Sequence, residues 1–85
     1  MRHFASSSFW DRYEKLPRSV RELANRNFDL LKENPHHPSL HIKKVGRYWS
    51  ARVGRRHRTL AVETEEGLVW FWIGTHSDYD KLVQQ

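Results

Sequence analysis

Cysteine is absent from this chain, and so are long apolar runs. Without cysteine there can be no disulfide and no thiolate metal site, so a reducing compartment is permitted. No apolar run reaches the roughly 18 residues that a membrane-spanning helix needs. Met1 is followed by Arg2, His3, Phe4 and then serines, not by the apolar core of a signal peptide. The sequence therefore predicts a cytoplasmic protein with no membrane partner.

Acidic residues are missing from the middle of the chain. No Asp or Glu lies between Pro35 and Val62, but seven Lys or Arg residues do: Lys43, Lys44, Arg47, Arg52, Arg55, Arg56 and Arg58. The whole chain carries a formal charge of +5, and residues 5 to 34 mix both signs almost evenly. Because the positive charge is concentrated in one stretch, the sequence predicts an anion-binding face, with nucleic acid as a candidate partner.

The length of 85 residues predicts one small domain spanning residues 1–85. Area scaling gives burial of roughly 64% of the unfolded surface, which leaves a thin core. Four Trp, four Phe and three Tyr residues compensate for this. Each buried ring removes about 150–250 Å² from water.

Two helices are predicted in the first 34 residues, and strands in most of the remainder. An extended piece at residues 2–5 precedes a helix over residues 9–16, capped by Ser8 and ended by Pro17. A second helix follows and ends at Asn34. Residues 48–53, 56–63 and 68–73 predict an antiparallel meander, residues 40–45 a short strand or an extended lead-in, and residues 77–85 a turn and a short helix. The predicted class is α+β, with an N-terminal antiparallel helical hairpin packed on a curved antiparallel sheet of three to four strands.

The last predicted strand is apolar on both faces, which indicates that both faces are covered. Strict alternation sends Trp70 and Trp72 to one face and Phe71 to the other. This favours core packing over a platform on which bases stack. The hairpin would cover one face of the sheet and leave the other free, where Arg52 and Arg58 could converge with the histidine that follows the strand.

Metal-free cleavage of RNA needs a base, an acid and cations, which histidine and arginine can supply. His76 is the leading catalytic candidate, because it follows small residues at a strand end where a substrate can approach. Arg52 and Arg58 lie on adjacent predicted strands, and each guanidinium can bind two oxygens of a scissile phosphate. Tyr79 is predicted either to contact RNA, by stacking on a base or hydrogen bonding to a phosphate, or to anchor the tail helix.

Other basic residues are predicted to contact the RNA backbone. Lys43 and Lys44 are neighbours on an extended segment, so they point to opposite sides. The remaining candidates are His41, His57, Arg55 and Arg56. Either of the first two could supply a second acid or base. The pair His36-His37 is not expected to bind a metal, because adjacent residues rarely aim at one ion, and no cofactor is implied.

Several segments, in this order, resemble the RelE/ParE superfamily of toxins from type II toxin-antitoxin systems. They are Phe9-Trp10, Tyr13-Glu-Lys-Leu-Pro17, Asn34-Pro-His-His-Pro-Ser-Leu-His-Ile-Lys-Lys-Val45, Trp49-Ser-Ala-Arg-Val-Gly-Arg-Arg-His-Arg58 and Ile73-Gly-Thr-His-Ser-Asp-Tyr79. The likeness covers nearly the whole chain as a pattern of many loose positions. The Gly-Thr-His-Ser-Asp stretch is most similar to the YafQ-type branch, whose histidine at that place is catalytic.

The resemblance implies cleavage of mRNA on the ribosome, by attack of a ribose 2′-hydroxyl on the phosphate, and an antitoxin that wraps the toxin. It implies phosphate binding by Arg58, a sheet cation at Arg52 and catalysis by His76, and Tyr79 is a looser match. The carboxylate base of some branches has no evident counterpart, since the nearest acids, at 63, 65 and 66, lie in the far turn. The ParE branch inhibits DNA gyrase, so the alternatives are a gyrase inhibitor and a non-toxic member that binds nucleic acid or a partner.

Overall fold

Helices precede most of the strands in the computed structural model, which describes residues 2–84. The elements are β1 (Arg2–Ala5), α1 (Ser7–Tyr13), α2 (Arg18–Glu33), a 3-10 turn (Pro38–Leu40), β2 (Lys43–Val45), β3 (Tyr48–Val53), β4 (His57–Thr64), β5 (Gly67–Thr75) and α3 (His76–Val83). The predicted α+β class is confirmed. Residues 40–45, left open by the sequence, contain both the end of the 3-10 turn and strand β2.

Helix α1 begins two residues earlier than the sequence predicts, because its N-cap is Ser6 and not Ser8. The Ser6 hydroxyl oxygen accepts a hydrogen bond from the backbone N–H of Phe9 at 3.4 Å. Ser8 lies inside the helix and donates its hydroxyl to the carbonyl of Phe71 at 2.9 Å. Ser8 therefore ties the helix to β5. The second helix runs from Arg18 to Glu33, with Pro17 as its N-cap residue and not in its first turn. Its predicted end is confirmed, because Asn34 is the C-cap.

The sheet has five strands in the order β1-β5-β4-β3-β2, and it differs from the prediction in its first strand. β1 adds a fifth strand at the edge and pairs parallel with β5, from Arg2 opposite Gly67 to Ala5 opposite Trp70. Gly67 has a φ of +143°, and a Cβ at this position would meet the backbone oxygen of Arg2. Only glycine allows β1 this close to the start of β5.

The hairpin of α1 and α2 packs on one face of the sheet, called here the hairpin face. Its buried residues are Ala24, Leu31, Leu40, Ala51, Val53, Ala61, Leu68, Trp70 and Ile73. The opposite face, called here the α3 face, carries a smaller core of Leu60, Trp72 and Tyr79. The sequence predicts that this face is free, but helix α3 covers part of it. Strand β5 is covered on both sides, which confirms that prediction.

Strict alternation fails at one point of β5. Ala61 of β4 pairs with Trp70, but the preceding residue, Leu60, pairs with Trp72, so Phe71 has no counterpart. This β-bulge turns Trp70 to the hairpin face and Trp72 to the α3 face. The prediction that the two tryptophans share a face is wrong for this reason. Their predicted role in the core is confirmed, because both rings are buried.

His3 on β1 forms a hydrogen bond with the indole of Trp70, a core residue of the hairpin face. Trp70 Nε1 donates a hydrogen bond to His3 Nδ1 at 3.2 Å, and the two rings stack with centroids 6.2 Å apart. Because His3 is partly buried, its pKa lies below the ordinary value of 6.5. Burial also lowers the pKa of His57 on β4. Protonation of either side chain therefore opposes folding.

We expect the free energy of unfolding to fall on acidification below pH 6.5. Well above this value both histidines are neutral in the folded and the unfolded chain, so protonation costs the folded state nothing. Between pH 6.5 and the lower folded pKa values, the unfolded chain binds more protons, and stability declines. Urea unfolding at pH 7.5 and pH 5.5 measures the difference. His3→Gln, which keeps an acceptor for the indole, should weaken the pH dependence, and an equal dependence in this variant would contradict the role given to His3.

Candidate functional site

Two arginines stand side by side on the α3 face. Arg52 of β3 is the cross-strand partner of Arg58 of β4, and Arg58 is in turn opposite Gly74 of β5. Paired residues project on the same face, so the two guanidinium groups belong to one surface. Within residues 2–84 neither forms a salt bridge with a carboxylate. The predicted convergence of Arg52 and Arg58 is therefore present in the fold.

The electrostatics of this pair favour an anionic ligand. Burial lowers the pKa of Arg58, and the neighbouring charge of Arg52 lowers it further, while Tyr79 and Asp80 act in the opposite direction. Among the described residues, the Nε atom of Arg52 is buried and has no hydrogen-bond partner. Two adjacent cations with incomplete compensation are costly unless an anion binds between or beside them. A phosphate has the charge and the acceptor oxygens to do so.

His76 is placed at the edge of this surface by the direct passage from β5 into α3. Thr75 is the N-cap of α3, and its hydroxyl oxygen accepts the backbone N–H of Asp78 at 3.2 Å. The backbone N–H of His76 donates to the carbonyl of Arg56 at 2.7 Å, which ties the start of the helix to the turn before β4. The imidazole itself is about half exposed, with 48% of its side-chain surface open to solvent.

A carboxylate contacts the imidazole. His76 Nδ1 lies 3.0 Å from Asp80 Oδ2, one helical turn further along α3. Since a carboxylate accepts hydrogen bonds and an imidazole nitrogen can donate, the distance fits a hydrogen bond from a proton on Nδ1 to Oδ2. The other nitrogen, Nε2, then keeps its lone pair in the neutral ring. His76 can therefore accept a proton from a substrate through Nε2.

Tyr79 anchors α3 to the sheet. Its ring is only 5% exposed and packs with Leu60 and Trp72. The structure shows the predicted anchoring role, and a ring this deeply buried offers no face for base stacking. A hydrogen bond from the Tyr79 hydroxyl to a phosphate stays a prediction. The phenol lies near enough to Arg58 to raise the pKa of that guanidinium. Gly74 makes room for this core, because a Cβ there would lie 2.6 Å from the indole of Trp72.

The two second-histidine candidates lie on different faces. His41 is exposed, and its Nε2 lies 3.5 Å from Nη1 of Arg52, so its ring adjoins the arginine pair. His57 pairs with Val53, a core residue of the hairpin face, so it is on the wrong side of the sheet to reach a phosphate at Arg58. The structure thus brings His41 to the site and leaves His57 away from it.

The remaining predicted RNA contacts are spread around the site. Lys43 is exposed and pairs with Ser50, which places it on the α3 face with Arg52. Lys44 is on the opposite side, 5.9 Å from the ring centroid of Trp49. This confirms that the two lysines point apart. Two further exposed cations, Arg55 and Arg56, stand in the turn that contacts the start of α3.

Asp80 is the site residue that sequence reasoning missed. The acids at 63, 65 and 66 lie at the turn between β4 and β5, whereas Asp80 lies on the tail helix, four residues after His76. Residues four apart are neighbours on a helix, so the spacing of His76 and Asp80 indicates their contact once residues 76–83 are assigned to a helix. No group of three or more metal-ligating side chains occurs within residues 2–84. In the same part of the chain, no helix is long and apolar enough to cross a membrane.

A cavity of about 310 Å³ lies between the hairpin and the sheet. Its lining is mainly apolar and includes Phe9, Phe28, Trp70 and Ile73, which belong to the hairpin-face core. Arg52 also lines the cavity, and its backbone carbonyl accepts a hydrogen bond from Asn27 Nδ2 on this side of the sheet. Arg58, His76 and Asp80 do not line it, so the cavity is separate from most of the candidate site.

The fold and the site define a small α+β domain with a cationic surface at the junction of its last strand and last helix. A profile of the ParE-like toxin domain matches residues 18–81, about three quarters of the chain, so the protein belongs to this family. This match confirms the resemblance to RelE/ParE-superfamily toxins that the sequence shows. No curated protein sequence matches the chain.

Two of the solved structures that share the fold illustrate the likeness. The RelB-RelE antitoxin-toxin complex from Methanococcus jannaschii is 17% identical, with a TM-score of 0.72 over 92% of this chain and 96% of that chain. A YoeB/ParE toxin from Agrobacterium tumefaciens is 22% identical, with a TM-score of 0.66 over 89% of this chain and 99% of that one. At these identities the likeness establishes the fold alone.

Proposed function

We propose that this protein is a type II toxin that cleaves mRNA without a metal ion, acting on message bound to the ribosome. The observation that carries the proposal is the His76–Asp80 pair next to the Arg52–Arg58 pair. A proton acceptor and two phosphate-binding cations are the groups that this reaction needs. A gyrase inhibitor would not need an oriented histidine beside them.

In the proposed reaction, Nε2 of His76 accepts the proton of a ribose 2′-hydroxyl. The 2′-oxygen attacks the adjacent phosphorus, the bond to the 5′-oxygen breaks, and the products are a 2′,3′-cyclic phosphate and a 5′-hydroxyl end. Arg52 and Arg58 stabilise the extra negative charge on the phosphate during the attack. His41, beside Arg52, is the candidate acid that protonates the leaving 5′-oxygen.

The proposed partners follow from the charge and from the family. Lys43, Arg55 and Arg56 are exposed cations around the site and would contact the backbone of the message or ribosomal RNA. Because the related toxin from Methanococcus jannaschii was solved with its antitoxin RelB, we propose a cognate antitoxin for this chain as well. The site of action would then be the cytoplasm, where translated messages are found.

Induction of the wild-type chain in bacteria should create new 5′ ends on translated messages. His76→Ala should reduce their rate of appearance at least about 100-fold, because a positioned acid or base contributes at least this factor. His36→Ala is the matched control, since His36 is an exposed histidine in the turn after α2 and outside the site. Sequencing of RNA 5′ ends at fixed times after induction provides the measurement.

Two other outcomes would replace the proposal. Growth arrest with intact messages, together with stabilised gyrase–DNA cleavage complexes, would indicate a gyrase inhibitor of the ParE type. Normal growth and intact messages would indicate a member that binds nucleic acid or a partner without toxicity. Equal cleavage by the wild type and His76→Ala would remove His76 from the mechanism.

A further inference from the structure

Helix α3 fixes the relative positions of His76 and Asp80 through its backbone. The start of the helix is set by the Thr75 cap, and its middle is set by the buried ring of Tyr79, the residue directly before Asp80. The two functional side chains therefore rest on an anchored helix and not on a loop. Their contact at 3.0 Å is made between residues whose separation the helix determines.

Asp80 also acts on the arginine pair. Its negative charge is close enough to raise the pKa of Arg58, against the lowering effects of burial and of Arg52. One carboxylate thus interacts with the histidine that would accept the proton and with the arginine that would hold the phosphate. Asp78, in the same helix, has no contact of this kind with His76 or Arg58.

We propose that Asp80 is the positioning residue of the site and holds His76 as the Nδ1–H tautomer, with Nε2 free to act as the base. This inference rests on the proposed nuclease function for its role in the reaction, but the tautomer can be measured without any reaction. A neutral imidazole without such a partner can place its proton on either nitrogen. A fixed acceptor at Nδ1 removes that choice, as the aspartate of serine proteases does for its histidine. Asp80 would supply the carboxylate that the strand sequences lack.

Nitrogen NMR of the ¹⁵N-labelled purified chain tests the tautomer. Two-bond correlations from the ring carbon-bound protons to Nδ1 and Nε2, recorded above the histidine titration range, distinguish the two neutral forms. The chain has six histidines, so the spectrum of His76→Ala identifies the signals of His76. We expect the Nδ1–H form to dominate in the wild type and to lose its dominance in Asp80→Ala.

Asp78→Ala is the charge-matched control, since it removes the same charge from the same helix. It should leave the tautomer of His76 unchanged. Message cleavage should fall about tenfold in Asp80→Ala and little in Asp78→Ala. A tenfold effect is smaller than the roughly 10⁴-fold loss for the buried aspartate of serine proteases, because Asp80 is partly open to solvent.

The possible results separate the inference from the function on which it rests. An unchanged tautomer in Asp80→Ala would overturn the inference, whatever the nuclease activity. A changed tautomer with undiminished cleavage would also overturn it, because Asp80 would then not position the base. If the tautomer changes but the wild type cleaves no message, the nuclease function fails while the orientation of His76 by Asp80 is supported.

Discussion

Replacement of Arg58 with alanine is expected to reduce message cleavage about 10³-fold, the upper range for loss of one group that stabilises charge in a transition state. Arg58 stands between Arg52 and Gly74 on adjacent strands, and Asp80 and Tyr79 contribute to its electrostatic environment. No other described cation occupies this central place. Arg58→Lys keeps the charge but cannot bind two phosphate oxygens in parallel, so its rate should fall between those of the wild type and the alanine variant.

The matched control is Arg47→Ala, which removes an exposed arginine from the turn between β2 and β3. Its side chain lies over the ring of Tyr48, 5.4 Å from the centroid, and outside the site. Cleavage should fall by less than about tenfold, as for loss of one backbone contact. Both variants should keep the unfolding free energy within about 1 kcal/mol of the wild type in urea titrations. Equal losses of activity would show that Arg58 contributes only to general RNA affinity.

Trp72→Ala is expected to lower the free energy of unfolding by about 3–5 kcal/mol, the usual cost of removing a buried aromatic ring. Small domains have only about 5–15 kcal/mol in total, so this loss is a large share. The Trp72 ring is 5% exposed and packs with Leu60 and Tyr79 beneath α3. Because this core anchors α3, the variant should also release the helix that carries His76.

Trp10→Ala provides the comparison, since Trp10 is 47% exposed on α1. Its loss removes edge contacts with Phe9 and Tyr13, and the expected cost is about 1 kcal/mol. Urea unfolding measures both variants, and amide hydrogen exchange should show faster exchange in α3 for Trp72→Ala only. Similar costs for the two tryptophans, or normal protection of α3 in Trp72→Ala, would contradict the anchoring role of this core.

The elements that the sequence predicts well are those marked by local signals. Prolines at 17 and 35 bound the second helix, and glycines at 54 and 67 separate the meander strands. The parallel pairing of β1 could not be derived in this way, because it joins residues about 65 positions apart. The bulge at Phe71 could not be predicted either, because it depends on which residues of β4 lie opposite those of β5.

The site was predictable where it follows from strand pairing. Arg52 and Arg58 flank the same turn, so an antiparallel pair of strands brings them together. His41 and His57 could not be told apart, because His41 lies in the loop before β2 and the face of His57 depends on the register of β4. The sequence predicts a turn at the start of residues 77–85 and only then a short helix, so it does not make Asp80 a helical neighbour of His76. Helix α3 is anchored by the buried ring of Tyr79, and the sequence of α3 alone does not show that this ring is buried.

Phe71, the unpaired residue of β5, marks a position where the strand pairing would tolerate the loss of one codon. The partners on either side of Phe71 are consecutive residues of β4, so removal of this single codon would leave a regular ladder with the same pairs. Arg58 would still lie opposite Gly74, and the histidine two positions later would stay on its side of the sheet. Loss of one codon between Trp72 and Thr75 would instead reverse the faces of the residues between that point and the helix. In terms of backbone pairing, position 71 is thus a place where the length of the strand can change without altering the pairs that carry the site.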